Sequence, residues 1–359
     1  MMRGVGHLYK DMHIDFDAEI KQHLDVVRTL ERTPGVFTAS ADDTFYNKAW
    51  LRDIYFITLG FFETGDIETV KNAAKALLSV FVKHKDKINW AIQNKPQETW
   101  QYIHARFHPE TFEEYWEEWG NRQNDAVGEV LNLLATLELM GKSVIETDDD
   151  RQMVQKIVDY LVNLEYWKDD DNGIWEENME VHASSVGSVV AALKKAQQVN
   201  WLNVPEGVIG QGEQALRALL PRESATKFAD LALLTLIYPF AVTTEEETLE
   251  ILKNVEYHLV KDKGVIRYKF DRYYNNNNDG YSEEAEWCFG LSWLSIIYAE
   301  RGDRERAYYW LERAKEAVTP DGKVPELYYS HTEQPNVNTP LGWSESMYVV
   351  ALKKVRDLG

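Results

Sequence analysis

The sequence of 359 residues contains a single cysteine, Cys288, which excludes an internal disulfide framework. No apolar run approaches the roughly 20 residues that a membrane span requires. The first 20 residues also lack the apolar core of a signal peptide. We therefore expect a soluble, cytoplasmic protein that does not bind membranes. Because Cys288 lies among apolar residues in AEWCFGLSW, we interpret its thiol as a buried structural group rather than a nucleophile.

Basic residues are few relative to acidic ones. The chain has 39 Lys and Arg against 59 Asp and Glu, a net charge of −20 at neutral pH. Proteins that bind nucleic acid need a basic surface to displace counterions, so we exclude a nucleic-acid partner. The nine histidines form no HExxH motif, and one cysteine cannot supply a zinc site. The pattern Gly210-Gln-Gly212 follows no strand, so we expect neither a metal nor an organic cofactor.

Strand-like alternation is scarce, and 266–274 is the best candidate for a short extended piece. Helical periodicity dominates instead, with Asp66 and Asp303 as candidate N-caps. The predicted helices lie near 17–32, 48–63, 66–84, 125–142, 149–166, 183–199, 206–219, 228–238, 245–258, 283–300, 303–318 and 341–357.

A dozen helices can form six hairpins that close into a ring. An open solenoid of helix pairs is the alternative, but it normally repeats its sequence at a fixed period, and no such repeat is found. No Pro- or Ser-rich linker divides the chain. We therefore predict an all-α fold, an (α/α)6 barrel, formed by a single domain over residues 1–359.

Four long irregular stretches interrupt the helices, at 86–124, 167–182, 259–282 and 319–340, and such stretches are usually functional. Seven aromatic residues fall within 98–125, interleaved with acids and amides. Aromatic faces bordered by polar groups are typical of a sugar site, although packing against the barrel is the alternative for each of them. They are Trp100, Tyr102, Phe107, Phe112, Tyr115, Trp116 and Trp119.

Two of these loops contain carboxylates suited to acid–base chemistry. Glu176 and Glu177 follow Trp175, whose apolar face is expected to desolvate one of them and raise its pKa. Glu326 follows Pro325 in a turn-rich segment. A glycosidase needs such a pair, one protonated and one ionised. Residue type alone, however, cannot select them from 59 acidic residues.

Several segments resemble the family 15 glycoside hydrolases, the glucoamylases and their relatives, whose fold is an (α/α)6 barrel. YNKAWLRD is similar to the family's aromatic-x-x-x-Trp-x-Arg-Asp segment, which implies that Tyr46, Arg52 and Asp53 bind the terminal sugar. WGNRQND resembles the Trp-Gly-x-x-Gln-x-Asp segment. This resemblance implies that Trp119 is a subsite tryptophan and that Asp125 supports the site.

The resemblance continues in order along the chain. GIWEEN is similar to the segment with the general acid, which implies that role for Glu176 and sugar binding for Glu177. IRY and EAEWCFGLSW resemble the segments that supply Arg267 and Trp287 to the sugar. DGKVPE lies where the family has its general base, which implies that role for Glu326. PLGWSESMYVVAL resembles the helix that closes the barrel.

Trp50 and Trp343 complete the candidate substrate-binding set, because both lie at helix ends beside these acids. Other segments, among them HASSVGSVVAALKKA, LLPRES and VPELYY, resemble the α and β subunits of phosphorylase kinase even more. Those subunits contain a glucoamylase-like domain without an established hydrolase role. Many prokaryotic relatives have an N-terminal β-sandwich before the barrel, and we expect none here. Protein partners and oligomeric state stay open.

The resemblance implies an inverting, exo-acting hydrolase that releases glucose from α-glucosides or oligosaccharides. Such an enzyme separates its two carboxyl groups by about 6.5–9.5 Å to admit a water molecule. The alternative is a carbohydrate-binding or regulatory module that does not hydrolyse. A third hypothesis is a helical scaffold whose aromatic residues only pack, and it predicts that Glu176 and Glu326 lie far apart or point outward.

Overall fold

A computed structural model describes residues 14–41, 44–117, 119–274 and 284–359. These residues form twelve α-helices, and none of them is long and apolar enough to cross a membrane. The helices are α1 (Phe16–Arg28), α2 (Leu51–Glu63), α3 (Ile67–Lys83), α4 (Lys85–Gln93), α5 (Asn124–Leu139), α6 (Asp148–Leu164), α7 (Ala183–Ala196), α8 (Val208–Leu219), α9 (Glu245–His258), α10 (Phe289–Glu300), α11 (Arg304–Glu316) and α12 (Gly342–Asp357).

The helices form two concentric rings. In the inner ring, α2 packs on α5, α5 on α7, α7 on a 3-10 helix at Leu231–Leu236, that helix on α10, α10 on α12, and α12 again on α2. In the outer ring, α3, α6, α8, α9, α11 and α1 each pack on an inner element. The predicted all-α (α/α)6 barrel is thereby confirmed.

The two rings differ in how their helices begin and in what they bury. Asp66 and Asp303 cap outer helices through bonds to Thr69 N and Arg306 N, as predicted. The first turn of a helix has N–H groups without partners inside the helix, and such a cap accepts a hydrogen bond from one of them. The inner α-helices, such as α10, are buried along most of their length and have no side-chain cap. The apolar inner ring is therefore the core of the molecule.

Four sequence predictions need correction. Helix α4 occupies part of the predicted loop 86–124. Its apolar stripe is too short for the periodicity to indicate a helix. The predicted helix at 228–238 is the 3-10 helix. Helix α10 begins at Phe289 rather than at residue 283, which lies outside the described residues. Residues 266–274 form no strand and make only an isolated bridge between Tyr268 and Asp230.

Short antiparallel strand pairs cover the end of the barrel where the inner helices begin. The pairs are β1 (Glu31–Thr33) with β2 (Val36–Phe37), β3 (Ala49–Trp50) with β4 (Arg106–Phe107), and β5 (Glu286–Trp287) with β6 (Leu327–Tyr328). In the last pair, Trp287 lies opposite Leu327, and Cys288 N donates to Glu326 O at 3.0 Å. This pairing brings the 319–340 loop next to the start of α10.

Candidate active site

A cavity of about 230 Å³ lies at the N-terminal ends of the inner helices. Eleven of the twelve predicted site residues line it, the exception being Asp125. Glu176 and Glu326 line it together, so the hypothesis of a scaffold with scattered carboxylates is wrong. The lining residues are Ala39, Tyr46, Trp50, Arg52, Asp53, Trp119, Ile174, Trp175, Glu176, Glu177, Arg267, Tyr273, Trp287, Phe289, Glu326, Leu341 and Trp343.

The Glu176 carboxyl group accepts three N–H bonds. Trp50 Nε1 and Arg52 Nη2 both donate to Oε1 at 2.9 Å, and Trp119 Nε1 donates to Oε2. The three donors come from the end of β3, the first turn of α2 and the loop before α5. Each oxygen of Glu176 therefore accepts at least one N–H bond from the protein.

The backbone at Glu176 has a left-handed conformation, with φ at 60°. Residues other than glycine rarely adopt this conformation, and such strain tends to cluster at functional sites. Gly120 approaches the same peptide so closely that a Cβ there would lie 2.9 Å from Glu176 O. A side chain at position 120 would therefore displace the turn that directs Glu176 into the cavity.

The Glu326 carboxyl group is held by neutral amides. Asn338 Nδ2 and Asn336 Nδ2 both donate to Oε2, the former at 2.7 Å. Burial raises the pKa of Glu326 to about 6, against the opposing effect of hydrogen bonds from Asn338, Asn336 and Tyr46. The Tyr46 hydroxyl also lies 3.3 Å from that of Tyr273. Glu326 can thus exchange a proton near neutral pH.

Glu177 belongs to a cluster of ion pairs. Its Oε1 accepts from Arg267 Nη2 at 2.7 Å, and its Oε2 accepts from Lys227 Nζ at 3.0 Å and from the Tyr268 hydroxyl at 2.6 Å. Burial alone would raise the pKa of Glu177, but these cations and hydrogen bonds outweigh it and lower the pKa. The sequence predicts that Trp175 raises the pKa of one of the two carboxyls that follow it, and Glu177 is not that carboxyl.

Arg52 is surrounded by carboxyl groups at the base of the cavity. Its Nη1 donates to Asp125 Oδ2 at 2.9 Å, so Asp125 lies behind Arg52 rather than in the cavity. Burial, together with the charges of Glu176 and Glu326, raises the pKa of Asp53 to about 7, against the opposing effect of Arg52. The single guanidinium of Arg52 does not keep every surrounding carboxyl ionised, and Asp53 binds a proton near neutral pH.

The aromatic residues divide into cavity and non-cavity sets. Of the seven in 98–125, only Trp119 lines the cavity. Tyr102 and Phe107 are buried in the core, whereas Trp100 and Trp116 are largely exposed. Of this segment, only Trp119 is therefore placed to contact a ligand in the cavity, and sugar binding by it stays a prediction. The cavity walls come from seven other aromatic residues scattered along the chain, namely Tyr46, Trp50, Trp175, Tyr273, Trp287, Phe289 and Trp343.

Sequence reasoning missed the residues that hold the acids in place. Asn336 and Asn338 hold Glu326, while Lys227 and Tyr268 hold Glu177. The alternation in Asn336-Val337-Asn338, within a loop that also contains Glu326, was the available signal. It directs both amides to the same side of an extended segment. No comparable pattern marks Lys227 or Tyr268. The described residues contain no cluster of three or more His, Cys, Asp or Glu placed to hold a metal ion.

The sequence profile of glycosyl hydrolases family 15 matches residues 23–207, which is just over half of the chain. The chain belongs to this family. It is also similar to a probable phosphorylase b kinase regulatory subunit alpha of Caenorhabditis elegans, with 29% identity over 284 residues. That alignment covers 65% of this chain and 23% of the subunit. The chain therefore spans about a quarter of the length of this curated relative.

Solved structures of low sequence identity share the fold. A wild-type glycosidase superposes with a TM-score of 0.80 at 20% identity, covering 95% of this chain and 97% of the other. The glucoamylase from Saccharomycopsis fibuligera superposes with a TM-score of 0.68 at 14% identity, covering 98% of both chains. At these identities the likeness shows the (α/α)6 architecture, and function has to be argued from the site.

Proposed function

We propose that this protein is an inverting, exo-acting glycoside hydrolase that releases glucose from α-glucosides or oligosaccharides. The observation that supports this most is the meeting of Glu176 and Glu326 in one aromatic-walled cavity, although 150 positions separate them in the chain. A carboxyl on each side of a bound sugar supplies the acid and the base that inversion needs. The chemistry requires neither a metal nor an organic cofactor.

In the proposed reaction, Glu176 donates a proton to the glycosidic oxygen. Glu326 removes a proton from the water that attacks the anomeric carbon from the opposite face. A carboxyl oxygen has two lone-pair sites, so Oε2, which accepts one N–H bond, can also carry the proton, whereas Oε1 accepts two N–H bonds. A sugar hydroxyl that attracts Arg52 Nη2 would release Oε1 in part. Substrate binding and activation of Glu176 are thereby coupled through Arg52.

The cavity suits one neutral sugar ring. Its volume of about 230 Å³ is smaller than the ~300–1,000 Å³ typical of sites for drug-sized ligands, which favours attack at a chain end. The indole walls offer apolar faces to sugar C–H groups. Trp287 Nε1 and Trp343 Nε1 are buried without a hydrogen-bond partner among the described residues. A ligand whose hydroxyl groups accept hydrogen bonds from these two N–H groups would bind more favourably.

Incubation with maltose, isomaltose, trehalose and a longer maltooligosaccharide tests the proposal. The anomer of any released glucose is read by NMR within the first minutes, before mutarotation. We expect β-glucose as the first product, since inversion at an α-linkage produces the β-anomer. Release of α-glucose from the non-reducing end of the longer maltooligosaccharide would contradict inversion, whereas trehalose releases its leaving glucose as the α-anomer under either mechanism. A retaining enzyme would be expected to have carboxyl groups only about 5–5.5 Å apart.

A sugar-binding module without turnover is the second candidate. Two observations favour it, namely the three N–H bonds that Glu176 accepts and the similarity to a kinase regulatory subunit. Calorimetry with the same four sugars separates the two candidates. Saturable binding without glucose release, over a day at micromolar protein, would favour the module.

A further inference from the structure

A buried cation lies behind the cavity wall, and the proposed reaction does not use it. Arg106 belongs to β4, opposite Trp50 of β3, and its side chain is completely buried. Its Nη2 donates to Glu117 Oε2 at 2.9 Å, whereas neither Nε nor Nη1 has a hydrogen-bond partner within the described ranges. Burial of unpaired guanidinium donors costs stability. A second favourable interaction is therefore needed to hold Arg106 there.

The Trp119 ring supplies that interaction. The Arg106 guanidinium carbon lies 3.9 Å from the centroid of the Trp119 ring and 5.7 Å from that of Trp50. These two indoles donate to the two oxygens of Glu176. A guanidinium stacked on an indole face is attracted by the π electrons and fixes the orientation of the ring. It also withdraws electron density from the ring, which makes the N–H a stronger donor.

We propose that Arg106 is a positioning residue that acts on Glu176 through Trp119. Stacking holds the Trp119 N–H on Glu176 Oε2 and strengthens that bond. Arg106 touches neither the cavity nor Glu176, so its effect passes through the indole and through its charge. The inference deepens the proposed function, in which Glu176 is the general acid, but the hydrogen bond itself exists whether or not a substrate is hydrolysed.

Lys48 offers a matched control. It approaches the same Glu117 carboxylate at 3.3 Å and is also mostly buried. It lies over the rings of Phe45 and Tyr115, at 4.1 and 4.5 Å, and not over Trp119. Removing the charge of Lys48 therefore perturbs the same Glu117 carboxylate and the surrounding aromatic rings, but it leaves the stack of Arg106 on Trp119 intact.

The test is a pH titration of the Trp119 indole N–H signal by NMR, with ¹⁵N-labelled tryptophan and with Trp119→Phe to assign the signal. The signal reports proton binding at Glu176. In Arg106→Gln we expect the midpoint to move upward by about 0.5–1 pH unit, as the strength of a cation–π contact implies. Lys48→Gln is expected to leave it in place. An unchanged midpoint in Arg106→Gln, or an equal shift in both variants, would overturn the inference.

If Arg106→Gln does not fold, Arg106→Lys provides a second variant for the same titration. Lysine retains the charge but loses the planar stack, so a smaller upward shift is expected, and no shift overturns the inference. In a hydrolysing enzyme, the alkaline limb of kcat/KM should move in the same direction as the NMR midpoint. If the wild-type protein hydrolyses nothing, the proposed function fails while the titration still decides the role of Arg106.

Discussion

The two candidate catalytic carboxyls occupy different surroundings within one cavity. Glu176 accepts from a guanidinium and two indoles, all from the first third of the chain, whereas Glu326 accepts from two neutral amides in its own loop. A charged donor can be drawn away by a ligand, but an amide on the same loop stays in place. In the proposed reaction, Glu176 would therefore exchange part of its contacts with the substrate, whereas Glu326 would keep its own.

The largest expected effect comes from removing either carboxyl. We expect Glu176→Gln and Glu326→Gln each to lower kcat by about 10²–10⁴-fold, the usual contribution of a general acid or base. Sugar affinity, measured by calorimetry, should change only a few-fold. Glu180→Gln is the control, because Glu180 belongs to the same loop as Glu176 but binds Ser224 and Thr226. Full activity in either active-site variant would refute its assigned role.

The second effect concerns the donors around Glu176, which are the Arg52 guanidinium and the Trp50 and Trp119 indoles. Trp50→Phe removes one N–H bond that would stabilise the carboxylate formed as Glu176 gives up its proton, so a loss of about tenfold in kcat is expected from about 1.4 kcal/mol. Trp175→Phe is the matched control, since Trp175 also lines the cavity but donates to Asp230 at 2.8 Å. Trp175→Phe should lower the unfolding temperature, while its kcat should fall less than that of Trp50→Phe. Equal losses of kcat in both variants would show that these indoles act only as walls.

The third effect concerns the neutral set of donors around Glu326. Amide bonds to a carboxylate favour its charged form, so Asn338→Ala should raise the pKa of Glu326 above its value of about 6 by about one unit. A general base must be ionised, so the acid limb of kcat/KM should move to higher pH while the plateau stays. Tyr274→Phe is the control, because it leaves the bond from Asn338 to Glu326 intact. A displacement toward lower pH would contradict the assignment.

The smallest effect concerns Asp53, whose pKa responds to both carboxyls. Burial raises it from 3.8 to about 7, so between these values the native state retains a proton that the unfolded chain releases. The free energy of unfolding should therefore fall as pH rises through this interval. Between pH 6 and 7, Asp53→Asn should flatten the fall by about 1 kcal/mol, measured by denaturant unfolding. An unchanged slope would show that Asp53 is ionised in the native protein.

The helices were predictable because their apolar periodicity is local. Outer helices such as α3 and α11 begin at the caps read from Asp66 and Asp303. The segment at 228–238 misled the prediction, since its run of apolar residues suits any buried conformation and the tertiary structure selects a tighter 3-10 turn. Helix α4 was missed among the polar and aromatic residues of its loop, because its own apolar stripe is short.

By itself, the sequence determined the helical class, the family and which carboxylates to consider, since these depend on patterns within short segments. Only the tertiary structure decided how the carboxylates are held. The Asn336 and Asn338 amides, the Trp119 and Trp50 indoles and the Arg106 guanidinium act through contacts between residues that lie from 10 to 126 positions apart. The physical reason is that hydrogen bonds and ion pairs require distances of about 3 Å, which only the closed ring of helices imposes.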